Sequence, residues 1–110
     1  MNLHLPAISV LMPVYNGEQF LDKSIKSILN QTFKNFEFII INDGSNDESL
    51  KIIESYNDKR IKFFHYPENK GITFALNKGL QISKGKYIAR QDQDDISLPD
   101  RFILQLEYIR

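Results

Sequence analysis

A chain of 110 residues is long enough to bury one core and short enough to form a single domain. Its 14 basic residues balance 14 acidic ones, so no global field draws it to nucleic acid or to an anionic membrane. There is no cysteine, which excludes disulfides and thiolate metal sites, and no run approaches the roughly twenty apolar residues that cross a bilayer. The opening Met1-Asn2-Leu3-His4-Leu5-Pro6 lacks the charged start and apolar centre of a signal peptide, so an intracellular, cytoplasmic domain without a transmembrane segment is expected.

Ile8-Ser9-Val10-Leu11-Met12 is a short apolar run ended by Pro13, and it predicts a buried strand. Val14-Tyr15-Asn16-Gly17 follows as a loop. A helix is expected from about Glu18 to Gln31, with Phe20, Leu21, Ile25, Ile28 and Leu29 on one face. Phe36 to Ile41, aromatic and β-branched, makes the second strand. After Asn42-Asp43-Gly44-Ser45, the spacing of Ser45 and Glu48 fits a capping box that opens a helix through Leu50, Ile53 and Tyr56. Arg60 to Tyr66 is the third strand, closed by Pro67.

The loop Glu68-Asn69-Lys70-Gly71 leads into a third helix. Ile72, Leu76 and Leu80 line one side of it, Ala75 and Gly79 lie close by, and Gly85 is its expected C-terminal stop. Lys86 to Gln91 is the fourth strand. Ser97-Leu98-Pro99-Asp100 starts a last helix, whose Phe102, Ile103, Leu106 and Ile109 form an apolar stripe. That helix meets no stop signal before Arg110, so a truncated piece of a longer protein is expected. A stripe exposed by truncation would favour a homo-oligomer.

Alternation of strand and helix predicts an α/β fold, a three-layer sandwich around a mainly parallel, Rossmann-like sheet. Right-handed crossovers put every strand's C-terminal end on one edge, and ligands bind beyond that edge. Three polar segments meet there: Tyr15-Asn16-Gly17, Asp43-Gly44-Ser45 and Gln91-Asp92-Gln93-Asp94-Asp95. If the last of these continues as extended backbone, Asp92 and Asp94 point the same way and Asp95 turns aside. Two such carboxylates repel unless a cation sits between them, and Mg²⁺ or Mn²⁺ with a substrate phosphate suits that need. A solvated acidic turn is the alternative.

Asp43 could accept a hydrogen bond from a base or a ribose, or serve only as a turn or helix cap. Tyr15 could stack on a nucleobase or fill a loop. Arg90 and Lys70 could meet phosphate or simply be solvated. His4 and His65 have no ligand-like spacing. Neither a P-loop nor a G-x-G-x-x-G element follows the first strand, which argues against P-loop nucleotidases and dinucleotide oxidoreductases. A sugar nucleotidyltransferase would carry a Gly-rich basic loop where Val14-Tyr15-Asn16-Gly17-Glu18 stands. A phospho-acceptor receiver would carry acidic residues there.

Ile8 to Asn16, Ile41-Asn42-Asp43-Gly44-Ser45-Asn46-Asp47, and Gly85 to Asp95 together resemble the family 2 inverting glycosyltransferases of the GT-A fold, in that family's order and spacing. The resemblance runs from about residue 7 to the end and covers the donor-binding, N-terminal half. It implies a nucleotide-sugar donor, most often UDP-linked, a divalent metal (Mn or Mg) on its diphosphate, and a saccharide or lipid-linked acceptor. By that resemblance Tyr15 packs on the base, Asp43 hydrogen-bonds it, Asp92 contacts the ribose or the metal's surroundings, and Asp94 is the main metal ligand. Asp95 supports the turn or touches the donor sugar, with Asn16, Lys70 and Arg90 as further candidate contacts. Ser97 to Phe102 and Gln105 are similar to the segment that follows the DxD element in bacterial surface-polysaccharide members. Such a parent protein would be cytoplasmic or peripheral at the inner face of the membrane. The general base of an inverting transfer lies well downstream of the DxD element in that family, so no catalytic residue is assigned within this chain, and residues 1–110 alone are expected to bind donor and transfer no sugar. The alternative from another class is a non-catalytic nucleotide-binding or self-associating fragment.

Overall fold

The computed structural model describes residues 5–109. Its elements run β1 (Ile8–Val14), α1 (Leu21–Leu29), β2 (Phe36–Asp43), α2 (Ser49–Glu54), β3 (Ile61–Tyr66), α3 (Ile72–Ile82), β4 (Tyr87–Arg90) and α4 (Arg101–Ile109). The four strands form one sheet in the order β3-β2-β1-β4, and every pairing is parallel. Even-numbered residues of β1 and β2 (Ile8, Val10, Met12, Val14, Phe36, Phe38, Ile40) face α1, α2 and α4. Odd-numbered Leu11, Ile39 and Ile41 face Ala75 of α3. With both faces covered, β2 is buried along all eight of its residues, which is why Phe38 to Ile41 run apolar without alternation. The three-layer α/β sandwich is the expected one, and among the described residues no helix is long and apolar enough to cross a membrane.

The chain first winds β1 to β2 to β3 in one direction, then returns through α3 to place β4 on the far side of β1. The order therefore reverses between β1 and β4. In open parallel sheets the crevice at such a reversal is where ligands bind.

Several local expectations are corrected. Pro13 does not end β1, which continues to Val14. Ala7 and Leu11 carbonyls accept from Tyr87 and Gln91 on the β4 side, so Pro13, of the same parity, faces that side too. The β4 ladder stops at the pair Leu11–Arg90, and the missing N–H costs no bond. Helix α1 starts at Leu21 instead of Glu18, because Asn16 (φ 49°) and a turn closed on the Gly17 carbonyl come first. Phe20 lies outside the helix and exposed. The helix ends short of Gln31, whose buried amide donates to the Ser27 and Leu98 carbonyls and accepts from the Phe102 N–H at the start of α4.

Ser45 and Glu48 form no capping box. The Ser45 hydroxyl donates to Asn42 Oδ1 (2.6 Å) and accepts the Asn16 N–H (3.0 Å), tying two rim loops together. On α3 the buried stripe is the small pair Ala75 and Gly79, while Ile72 and Leu80 are exposed. Gly79 packs its bare Cα against Leu11, so the helix lies close to the sheet. Gly85 is not that helix's stop, which is Ser83 in extended conformation. A Cβ at Gly85 would stand 2.6 Å from the Ser9 nitrogen. On α4, Phe102 and Leu106 are buried, and the exposed apolar residues are Ile103, Leu104, Tyr108 and Ile109. Only part of the expected stripe is therefore uncovered. His4 and Arg110 lie outside the described residues.

Candidate donor site

Five of the eight candidate residues line one cleft of about 420 Å³ at the β1/β4 reversal: Tyr15, Asp43, Arg90, Asp92 and Asp94. Pro13, Val14, Asn69, Gly71, Ile72 and Gln93 complete its walls. Tyr15 sits at the end of β1, 45% exposed. Asp43, the last residue of β2, is buried. Its Oδ1 accepts the Lys70 N–H (2.8 Å) and its Oδ2 the Gly71 N–H (2.8 Å), and the Asn69 side-chain amide donates to its carbonyl (3.1 Å). The Asn69 amide also reaches Oδ2 (3.3 Å), so the carboxylate holds the loop entering α3 and Oδ1 retains one lone pair. Gly44 makes this approach possible. It adopts φ +72°, and a Cβ there would lie 2.3 Å from the Asn69 nitrogen.

The acidic segment is not extended, contrary to expectation. The Asp95 N–H donates to the Asp92 carbonyl (3.0 Å), so residues 92–95 make a turn. Gln91 anchors its base. Its buried side-chain amide donates to Ser24 Oγ (3.0 Å) and the Asp95 carbonyl (2.8 Å), and accepts from Ser97 Oγ (2.8 Å) and Arg101 Nη1 (3.0 Å). Arg101 also donates to the Arg90 carbonyl (3.0 Å), and burial lowers its guanidinium pKa. These bonds pin the turn to α1 and α4. With Asp92 and Asp94 projected into the cleft, Asp95 faces the other way, lining a neighbouring hollow with Gln91, Ser97 and Arg101.

Asn16 and Lys70 do not reach the cleft walls. The Asn16 side-chain carbonyl accepts the Asn46 N–H (2.7 Å), and the Lys70 ammonium lies 5.7 Å from the Phe74 ring centre. Sequence reasoning missed Gln91 as an anchor, Gln93 as a wall, and the loop residues Asn69 and Gly71. Only the glycine in the Asn69-Lys70-Gly71 loop gave a signal, because the partner that fixes it, Asp43, lies 26 to 28 residues away.

Three carboxylates and one guanidinium line the cleft, a net of two negative charges. Arg90 Nε pairs with Asp92 Oδ1 at 2.8 Å, but both side chains are about half exposed, so the pair is weak and can exchange for another partner. Among the described residues no group of three or more His, Cys, Asp or Glu could hold a metal by itself. Two carboxylates fit a Mg²⁺ or Mn²⁺ ion shared with substrate phosphates, for which one or two protein carboxylates suffice.

The class the fold defines is an open, parallel α/β sandwich with an acidic turn at its topological reversal, the place where such sheets bind ligands. The family model "Glycosyl transferase family 2" matches residues 9–110, and the chain belongs to that family. A Haemophilus influenzae protein named as an uncharacterized glycosyltransferase is 43% identical over 109 residues, which is 97% of this chain and 44% of that protein. The structure of S. aureus TarS residues 1–349 superposes with TM-score 0.86 at 27% identity, over 93% of this chain and 32% of TarS. TarS has also been solved with UDP and with UDP-GlcNAc. A mannosyltransferase from Pyrobaculum calidifontis, solved with GDP-Man and Mn²⁺, shares the GT-A fold (TM-score 0.78, 22% identity, 93% of this chain and 31% of that one). The chain spans less than half the length of the curated relatives it matches.

Proposed function

We propose that this chain binds a nucleotide-diphosphate sugar, a UDP-sugar first among them, as the donor-binding portion of an inverting glycosyltransferase. The observation that carries the reading is the cleft itself, which gathers an aromatic ring, a buried acceptor carboxylate and two turn carboxylates at the β1/β4 reversal. Tyr15 would pack on the base and Asp43 would accept from its N–H. A net negative cleft repels a diphosphate unless a divalent cation accompanies it. Asp94 is the ligand we assign to that cation, since Asp92 is paired with Arg90, and Asp92 would contact the ribose. Bound there, the metal would offset charge on the departing nucleoside diphosphate. UDP complexes of TarS, at 27% identity, support the choice of nucleotide.

A saccharide or lipid-linked acceptor of surface-polysaccharide synthesis is the acceptor class proposed. The base that an inverting transfer requires is assigned to none of the cleft residues, and sugar transfer by residues 1–110 would overturn that assignment. Calorimetric titration with UDP, with and without Mn²⁺, tests the donor site. Metal-dependent binding that disappears in Asp94→Ala is expected. Binding by the unmodified chain that is indifferent to Mn²⁺ and to Asp94→Ala would refute the metal role, and no binding would favour a structural, self-associating domain.

A further inference from the structure

We propose that Gln93, the residue between the two cleft carboxylates, is a positioning residue that makes the base side and the diphosphate side of the cleft one rigid unit. In the 92–95 turn Gln93 occupies the first corner, and its side chain reaches back across the sheet edge to the loop after β1. There Oε1 accepts the Tyr15 N–H (2.8 Å) and Nε2 donates to the Tyr15 carbonyl (3.1 Å). The side-chain amide thus satisfies both backbone groups of one residue, as a neighbouring strand would. It does so beyond the β1–β4 ladder, whose last pair is Leu11–Arg90.

Gly17 supplies the space. An added Cβ there would stand 2.6 Å from Gln93 Oε1 and 2.7 Å from its Cδ. Any side chain at position 17 therefore displaces the staple. With it in place, Tyr15 and the Asp92–Asp94 turn hold a fixed separation, so ordering either side pre-orders the other. A ligand that spans both sides then binds with positive coupling to the cation.

This inference rests on the donor-site reading, and the test separates the two. UDP affinity is measured by calorimetry with and without saturating Mn²⁺ for the unmodified chain, Gln93→Met, Gly17→Ala and the double variant. Met keeps the length of Gln and loses both hydrogen bonds. The enhancement of UDP affinity by Mn²⁺ is expected to fall about tenfold in each single variant. It should fall no further in the double variant, because both changes remove the same staple. A merely structural role would lower the melting temperature and leave that enhancement unchanged, which would overturn the inference, as would strictly additive effects of the two substitutions. Should Gln93→Met prove unstable, Gln93→Asn, too short to reach Tyr15, serves in its place with the same expectations. If the unmodified chain binds no UDP at all, the donor-site reading fails first and the positioning role falls with it.

Discussion

At the end of the sheet opposite the cleft, Glu37 of β2 is buried and accepts from three donors. Ser9 Oγ (2.5 Å) and the Lys84 N–H (2.6 Å) reach Oε2, and Lys62 Nζ (2.8 Å) reaches Oε1. The Ser9 hydroxyl oxygen also accepts the Gly85 N–H (2.8 Å), so its own proton must point at Glu37. This lock fixes the start of β4 against β1. Since a one-residue slip would turn every β4 side chain to the other face, it also decides that the acidic turn arrives at the cleft. In Glu37→Gln, an amide oxygen can serve the two Oε2 donors only by turning its NH₂ toward the Lys62 ammonium. Lys62 is 45% exposed and can swing into water, so most of the loss is the charge assistance to two buried hydrogen bonds. With each charged bond worth about 1 kcal/mol more than a neutral one, the expected cost is about 2 kcal/mol at pH 7, or about 10 °C in melting temperature. Burial pushes the Glu37 carboxyl up, but the bonds from Lys62, Ser9 and Lys84 outweigh it and hold the pKa below its usual value. A depressed folded pKa contributes stability that is present above the unfolded value and lost as pH falls through the folded one. Urea denaturation of both forms between pH 7 and pH 3 should therefore show the gap closing in acid. A gap of constant size across that range, or no gap at pH 7, would refute the lock.

Other residues give further outcomes. Gln91→Leu keeps the volume at the base of the acidic turn but strips partners from Ser97, Arg101 and the Asp95 carbonyl. It should cost about 3 kcal/mol in chemical denaturation and weaken UDP binding as well. Asp43→Ala frees the Lys70 and Gly71 N–H groups, so amide exchange in residues 69–71 should quicken and stability should drop by about 2 kcal/mol, together with UDP affinity. If those amides stay protected, the clamp is not what holds the loop. The exposed apolar side chains Ile88, Leu104, Tyr108 and Ile109, beside the edge strand β4, should make the chain self-associate, and light scattering that shows a monomer at high concentration would count against this.

What the sequence made legible was set by the range of the interactions involved. Hydrophobic runs and turn residues are local, and they placed all eight elements and the common rim. The errors sit where a distant partner decides. Pro13 stays in β1 because β4, more than 70 residues on, stops short of it. Ser45 leaves the expected cap because Asn16 competes for its hydroxyl. The acidic segment turns because Gln91 is held from α1 and α4 at once, so the alternation argument for Asp92 and Asp94 fails although both still line the cleft. Carboxylates announce themselves in a sequence, whereas neutral amides do not. Yet the two glutamines around Asp92 account for most of the bonds that hold the acidic turn in place, one from below and one from across the reversal. A site of this kind is specified as much by the uncharged residues between its acids as by the acids themselves. Variation at those uncharged positions should therefore tune donor binding without altering the acidic motif.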